Sequence, residues 1–199
     1  MSNCECQQIA GTITDRKILT IALALNAAMF IIGLIAGVLA QSTGLIADSL
    51  DMLADASVYG LGLLAINRST QFKNMTAMFS GSLLLLLSVW ILLDVGRRAW
   101  FGSFPDSTVM IIIACISLVV NGAVLSMLGK FRHGEIHLRA TWIFTRADVI
   151  VNIGVIISGV LVALTNSRYA DLIVGFVICL YVIKEACEII SSAHKERIA

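Results

Sequence analysis

The chain has 199 residues, of which 58% are hydrophobic and only 14% are charged, and its mean hydropathy is +0.92. Soluble domains are about half apolar and about a quarter charged, so the composition excludes an ordinary soluble domain and predicts a membrane protein. The net charge of +1 argues against a nucleic-acid partner.

Six stretches of the chain are apolar and long enough to be transmembrane helices, which need about 20 residues each. The predicted spans are residues 18–40, 42–66, 74–93, 107–129, 141–164 and a sixth from about 172 onward. The first and fourth contain no charged residue, whereas the second contains three aspartates and the fifth contains Arg146 and Asp148. The pattern therefore predicts an all-α integral membrane protein with six transmembrane helices.

The sixth span must extend beyond its charge-free part. Its charge-free part ends at Ile183, after about 18 Å of helix, which is too short to cross a bilayer. We expect it to continue past Lys184 and Glu185, whose charged ends can extend to the membrane interface. The predicted organisation is a cytoplasmic segment at 1–16, a six-helix domain at 17–192 and a short cytoplasmic tail at 193–199.

The distribution of basic residues predicts the orientation. With six spans, ten basic residues fall on one side: Arg16, Lys17, Arg68, Lys73, Lys130, Arg132, Arg139, Lys184, Lys195 and Arg197. Three fall on the other side, namely Arg97, Arg98 and Arg168. Because cytoplasmic loops carry the excess of Lys and Arg, both termini of this multi-pass protein are predicted to face the cytoplasm from the cell membrane.

The second span contains carboxylates that are costly in a membrane. An Asp near the helix centre costs about 2.5–3.5 kcal/mol, and each Leu, Ile, Phe or Val offsets about 0.3–0.6 kcal/mol. Asp48, Asp51 and Asp55 together cost about 8–10 kcal/mol, and the apolar residues between Leu45 and Ile66 offset only about 3–5 kcal/mol. We therefore expect the acidic face of this helix to point into the bundle.

The spacing of these acids suggests a shared site. Positions 48, 51 and 55 lie on one face of a helix, with Asp51 and Asp55 one turn apart, and Asp148 is the matching acid in the fifth span. Carboxylates gathered in a medium of low dielectric are either partly protonated or hold a cation between them. The alternative is that the acids pair with Arg146 or cap helix ends. Arg146 is the only basic residue inside a span, so it cannot neutralise four acids.

Two motifs resemble the cation diffusion facilitator family. The segment "LIADSLDMLADA" resembles the second-helix motif of that family, and Asp51 and Asp55 fall on its metal-binding positions. The segment "HLRATWIFTRADVIVNIGVI" resembles its fifth-helix motif, and Asp148 falls on the Asp of the H-x-x-x-D pair. The resemblance implies export of a divalent metal such as zinc, manganese, iron or cobalt by proton antiport, usually by a homodimer in the lipid bilayer. The metal would be the transported substrate, and no cofactor is expected.

The chain departs from the family pattern in two places. Phe144 occupies the usual His position of the fifth helix, and the sequence stops after the sixth helix, as in a short form lacking the cytoplasmic C-terminal domain. The fourth ligand is left open among water, Asp48 and Asn152, and Asn152 is alternatively an interhelical hydrogen-bonding group. An oxygen-rich site favours manganese, iron(II) or magnesium over zinc.

Two classes of function remain. The main interpretation is a secondary transporter that exports a divalent metal in exchange for protons, and the alternative is a non-transporting membrane subunit that senses metal or binds a partner. No enzyme class is indicated, because the sequence contains neither a plausible nucleophile–base arrangement nor a nucleotide-binding glycine loop. Cys4 and Cys6 form a C-x-C pair that contributes to a soft-metal site or belongs to a mobile terminus.

Overall fold

The computed structural model describes the backbone of residues 2–64, 70–129 and 136–198. Side chains are described from 16 to 61, from 77 to 129 and from 145 to 191, with residues 63, 71, 75, 193 and 194 in addition. Six helices make up these ranges: α1 (Ser2–Leu39), α2 (Thr43–Leu64), α3 (Thr70–Phe101), α4 (Ser107–Leu128), α5 (Ile136–Thr165) and α6 (Tyr169–Ile198). The predicted all-α fold with six helices is confirmed.

Several helices are longer than the predicted spans. Helix α1 already begins at Ser2, and α3 continues to Phe101, so Arg97 and Arg98 belong to its last turns rather than to a loop. Helix α6 continues without interruption past Lys184 and Glu185. The predicted spans are shorter than the helices because charge-free runs identify only the apolar part of a helix. The polar turns at its ends are helical too.

Among the described residues, four helices are by themselves long and apolar enough to cross a membrane: Arg16–Leu39, Ala77–Phe101, Ser107–Leu128 and Thr145–Thr165. The other two, α2 and α6, carry more charged residues in their apolar stretches. Their position in the fold explains how they are accommodated, because α2 contacts all five other helices and α6 contacts α2, α3 and α5.

Helix α2 forms the centre of the bundle. The surrounding helices contact one another in the order α1, α4, α5, α6 and α3. Every residue of α2 from Thr43 to Met52 is buried. The predicted inward orientation of its acidic face follows from this arrangement, since no face of that segment is open to lipid.

Small residues allow α1 to approach α2 closely. A Cβ atom added at Gly37 would lie 2.8 Å from Ile46 Cγ1 and 2.9 Å from the Ile46 backbone nitrogen. One turn earlier, a Cβ at Gly33 would lie 3.2 Å from Ser49 Cβ. Gly37 is therefore required for this separation of the two backbones, and Gly33 makes the approach one turn earlier easier, as in other membrane-helix pairs with small residues four apart.

The start of α2 is capped by a residue from the far end of the chain. Asp171 on α6 is fully buried, and its carboxylate accepts hydrogen bonds from the Ser42 hydroxyl (2.6 Å), from the Thr43 backbone nitrogen (2.7 Å) and hydroxyl (2.8 Å), and from the Gly44 backbone nitrogen (2.9 Å). A carboxylate at a helix N-terminus satisfies unpaired N–H groups and complements the helix dipole. Asp171 thus fixes the end of α2 against α6.

The end of the bundle at which α2 begins also contains the three arginines that were predicted to lie on one side of the membrane, Arg97, Arg98 and Arg168. Arg98 pairs with Asp94 and donates to the Gln41 backbone oxygen between α1 and α2. Arg168, between α5 and α6, donates to the Ala99 backbone oxygen at 3.3 Å. These contacts connect α3 to both neighbouring loops.

Candidate metal and proton site

The structure brings together the three aspartates predicted as metal ligands. Asp51 and Asp55 on α2 and Asp148 on α5 are all buried, with 4%, 7% and 4% of their surfaces exposed. The Asp148 carboxyl group is close enough to those of Asp51 and Asp55 to interact with them electrostatically. The site is therefore formed where α2 crosses α5, in the interior of the bundle.

The carboxyl groups of this cluster require a proton or a cation between them. Among the described residues, the Oδ2 atom of Asp148 is buried and has no hydrogen-bond donor. Two ionised carboxylates in contact repel each other strongly in a medium of low dielectric. Within the described part of the chain no three His, Cys, Asp or Glu side chains are grouped as a metal-binding set. The aspartates are thus gathered without forming a closed ligand cage.

A buried tyrosine, Tyr59, lies beside Asp55 and links it to α5. The Tyr59 hydroxyl donates to Asp55 Oδ2 at 3.1 Å and lies 2.7 Å from the Thr145 hydroxyl on α5. When the Tyr59 hydroxyl donates its one proton to an ionised Asp55, the Thr145 hydroxyl is the donor in the Tyr59–Thr145 hydrogen bond. Tyr59 was not predicted from the sequence, although it lies one helical turn after Asp55 and so shares its face.

Asp48 lies in a separate polar chain that extends away from the cluster. Asn152 Nδ2 on α5 donates to Asp48 Oδ1 at 2.7 Å, and Asn121 Nδ2 on α4 donates to Asn152 Oδ1 at 3.0 Å. The Ser117 hydroxyl faces the Asp48 carboxyl group, but its geometry falls short of a hydrogen bond. Both polar atoms of Asn152 are therefore engaged in interhelical hydrogen bonds, which was one of its two predicted roles.

The structure places Arg146 away from the acids. Its side chain is exposed on the outer face of α5, where Ile150 is also exposed. Within the described residues, no ion pair connects Arg146 to an aspartate. The alternative that Arg146 neutralises the cluster therefore has no support. The side chains of Phe144, Cys4 and Cys6 lie outside the described part of the structure.

A six-helix bundle with buried carboxylates at its centre is typical of an integral membrane protein in which those carboxylates mark a functional site. Comparison with known families agrees with this class. Residues 19–196 match the family model of the cation efflux transmembrane domain. The chain belongs to this family, as the two motifs had predicted.

The curated relatives share about a quarter of their residues with the chain. The metal cation efflux system protein CzcD of Cupriavidus metallidurans is 24% identical over 191 residues, which cover 90% of this chain and 60% of that protein. A cadmium, cobalt and zinc/H(+)-K(+) antiporter of Bacillus subtilis is 24% identical, covering 85% of this chain and 59% of the relative. The zinc transporter ZitB of Yersinia pseudotuberculosis is 22% identical, covering 92% and 63%. The chain thus spans about 60% of the length of these relatives.

Proposed function

We propose that the protein is a secondary transporter that exports a divalent metal cation from the cytoplasm in exchange for protons. The observation that carries this proposal is the burial of Asp51, Asp55 and Asp148 in the centre of the bundle, with one buried Asp148 oxygen that has no donor among the described residues. A site of this kind binds either protons or a cation. Binding of the metal releases the protons, which couples the two ions.

In this proposal Asp51, Asp55 and Asp148 bind the metal and the protons alternately. Asp48 and Asn152 have an auxiliary role in metal or proton binding, because they are already hydrogen-bonded to each other and Asn152 is also hydrogen-bonded to Asn121. The proposal does not specify which divalent metal is transported. Relatives are named for zinc, cadmium and cobalt, whereas oxygen donors suit manganese and iron(II) better.

We further propose that both termini face the cytoplasm and that the protein forms a homodimer. The orientation is supported by the position of Arg97, Arg98 and Arg168 at one end of the bundle, with the larger group of basic residues predicted at the other end. For the dimer, the outer face of α3, with Trp90 and Phe79 each 72% exposed, is available for contact with lipid or with a second copy.

The decisive experiment is transport by the purified full chain in proteoliposomes, with an internal pH dye and with zinc, manganese and cobalt offered separately. The proposal predicts metal uptake accompanied by a proportional internal pH change, and loss of both signals in Asp148→Asn. Asp106→Asn is the matched control, because Asp106 is an exposed helix cap and asparagine caps equally well.

Three results would separate the hypotheses. Coupled uptake that is lost only in Asp148→Asn supports the proposal. Metal binding without uptake of any of the three metals supports the alternative of a metal-sensing or partner subunit instead. Uptake that persists unchanged in Asp148→Asn would refute the assignment of the site.

A further inference from the structure

Two hydroxyl groups form a layer one helical turn away from the aspartates. Tyr59 follows Asp55 by four residues on α2, and Thr145 precedes Asp148 by three residues on α5. The two hydroxyl oxygens lie 2.7 Å apart, and Tyr59 also donates to Asp55 Oδ2 at 3.1 Å. Tyr59 is 1% exposed and Thr145 is 0% exposed, so the layer is closed to solvent.

This layer lies on one particular side of the aspartates. Asp48 pairs with Asn152 and Tyr59 pairs with Thr145, so the residue numbers rise along α2 while they fall along α5. The two helices are therefore antiparallel. The steps from the aspartates to Tyr59 and to Thr145 both lead to the end where α2 finishes and α5 begins, which is the cytoplasmic end in the proposed orientation.

The ring of Tyr59 fills the space between three helices at this level. It belongs to one apolar cluster with Ala22 on α1 and with Val124 and Leu128 near the end of α4, and all three of these residues are fully buried. Through its ring and its hydroxyl group, Tyr59 therefore connects α2 to α1, α4 and α5. Water has no route through a close-packed apolar layer of this kind.

Tyr59 is also the place where the enclosure of α2 ends. Every residue from 43 to 52 is buried, whereas between 57 and 61 only Tyr59 is buried and its four neighbours are partly exposed. The shortest way from the aspartates to water along α2 thus leads past this one side chain.

We propose that Tyr59 is the gating residue on the cytoplasmic side of the aspartate cluster, and that the hydrogen bond to Thr145 holds its ring across the route to the acids. This inference deepens the proposed function and rests on it. A cation coming from the cytoplasm reaches Asp55 only when the Tyr59–Thr145 bond opens. The same hydroxyl group holds the Asp55 carboxyl group, so opening of the route also frees a metal-binding oxygen.

The test measures access to the cluster from each side of the membrane, with no metal present. Asp51→Cys is introduced into the full chain in a cysteine-free background, because residue 51 lies one turn beyond Asp55 as seen from Tyr59. A membrane-impermeant maleimide is added either to inside-out vesicles, which present the cytoplasmic side, or to intact cells. The labelling rate follows the fraction of molecules in which the route is open.

Tyr59→Phe keeps the ring and removes only the hydroxyl group. It should raise the labelling rate in inside-out vesicles by roughly five- to tenfold, the effect on an equilibrium that loss of one intramolecular hydrogen bond typically has. The rate in intact cells should not change. Thr145→Val removes the other partner and should have the same one-sided effect, and the double variant should exceed the larger single effect only slightly, because both changes break one bond.

Tyr169→Phe is the matched control. Tyr169 is 59% exposed at the opposite end of the bundle, so its hydroxyl group should have no influence on either rate.

The other outcomes would overturn the inference. An unchanged rate in vesicles for Tyr59→Phe, or for Thr145→Val where the first variant does not reach the membrane, means that Tyr59 is only a packing residue. Equal increases on both sides mean that the bundle has loosened as a whole. Because no metal is used, a native chain that transports nothing still gives these rates, and coupled transport with unchanged rates would leave the proposed function intact.

Discussion

Replacement of Asp171 by alanine is the perturbation whose cost follows most directly from the structure. The Asp171 carboxylate accepts hydrogen bonds from two backbone nitrogens, those of Thr43 and Gly44, and from two hydroxyl groups. The hydroxyl groups can rotate towards other acceptors. The backbone nitrogens cannot, since both lie in the first turn of a buried helix.

The expected loss of stability follows from these two donors. Each buried donor left without an acceptor costs about 1–3 kcal/mol, so Asp171→Ala should lower the free energy of unfolding by about 2–6 kcal/mol. Asp171→Asn keeps one acceptor oxygen but places an amide N–H group among donors, so its cost should be about half as large. Separation of α2 from α6 would also loosen the cluster that contains Asp51.

The measurement is unfolding of the purified protein in mixed micelles with increasing dodecyl sulfate, followed by circular dichroism. Asp106→Ala is the control. Asp106 caps α4 through the Thr108 and Val109 nitrogens, but it is exposed, so water can replace it. Its loss should cost about 0.5–2 kcal/mol. If Asp171→Ala costs no more than Asp106→Ala, the reasoning from burial is refuted.

Three further predictions concern packing, orientation and the metal preference. Gly175→Ala should lower the unfolding free energy by about 1–3 kcal/mol, because its Cβ would lie 2.8 Å from the α2 backbone; Gly122→Ala, with nothing within 4 Å, should not destabilise. In a cysteine-free background, Phe104→Cys should be labelled from outside intact cells and Lys17→Cys should not, and the reverse result would contradict the proposed orientation. Phe144→His should raise zinc affinity relative to manganese by roughly tenfold, about 1.4 kcal/mol, and the gain should fade below about pH 6.5. An unchanged ratio in calorimetry would mean that residue 144 does not face the site.

The number of helices and the inward face of α2 could be derived from the sequence because both depend on local patterns. Charge-free runs identify apolar helices, and the spacing of Asp48, Asp51 and Asp55 places them on one face of a helix. Asp148 was identified as the matching acid in the fifth span, and the structure buries it as it buries Asp51 and Asp55. These inferences need no knowledge of how the helices are arranged.

The role of Asp171 and the partial burial of Glu185 depend on that arrangement. The partner of Asp171 lies 128 residues earlier in the chain, and no local pattern indicates that α6 caps α2. Glu185 follows Lys184 directly, and on sequence grounds both residues mark the membrane interface. In the structure Lys184 is exposed whereas Glu185 is half-buried, a difference that the sequence pattern does not indicate.

The chain of hydrogen bonds from Asn121 to Asp48 has a fixed direction. An ionised carboxylate only accepts hydrogen bonds, so Asn152 must turn its amide nitrogen towards Asp48. Its oxygen then faces α4, and this requires Asn121 to present its own nitrogen in turn. While Asp48 is ionised, its charge therefore determines how the Asn121 amide on α4 is oriented, and the effect passes through Asn152 without any movement of a helix.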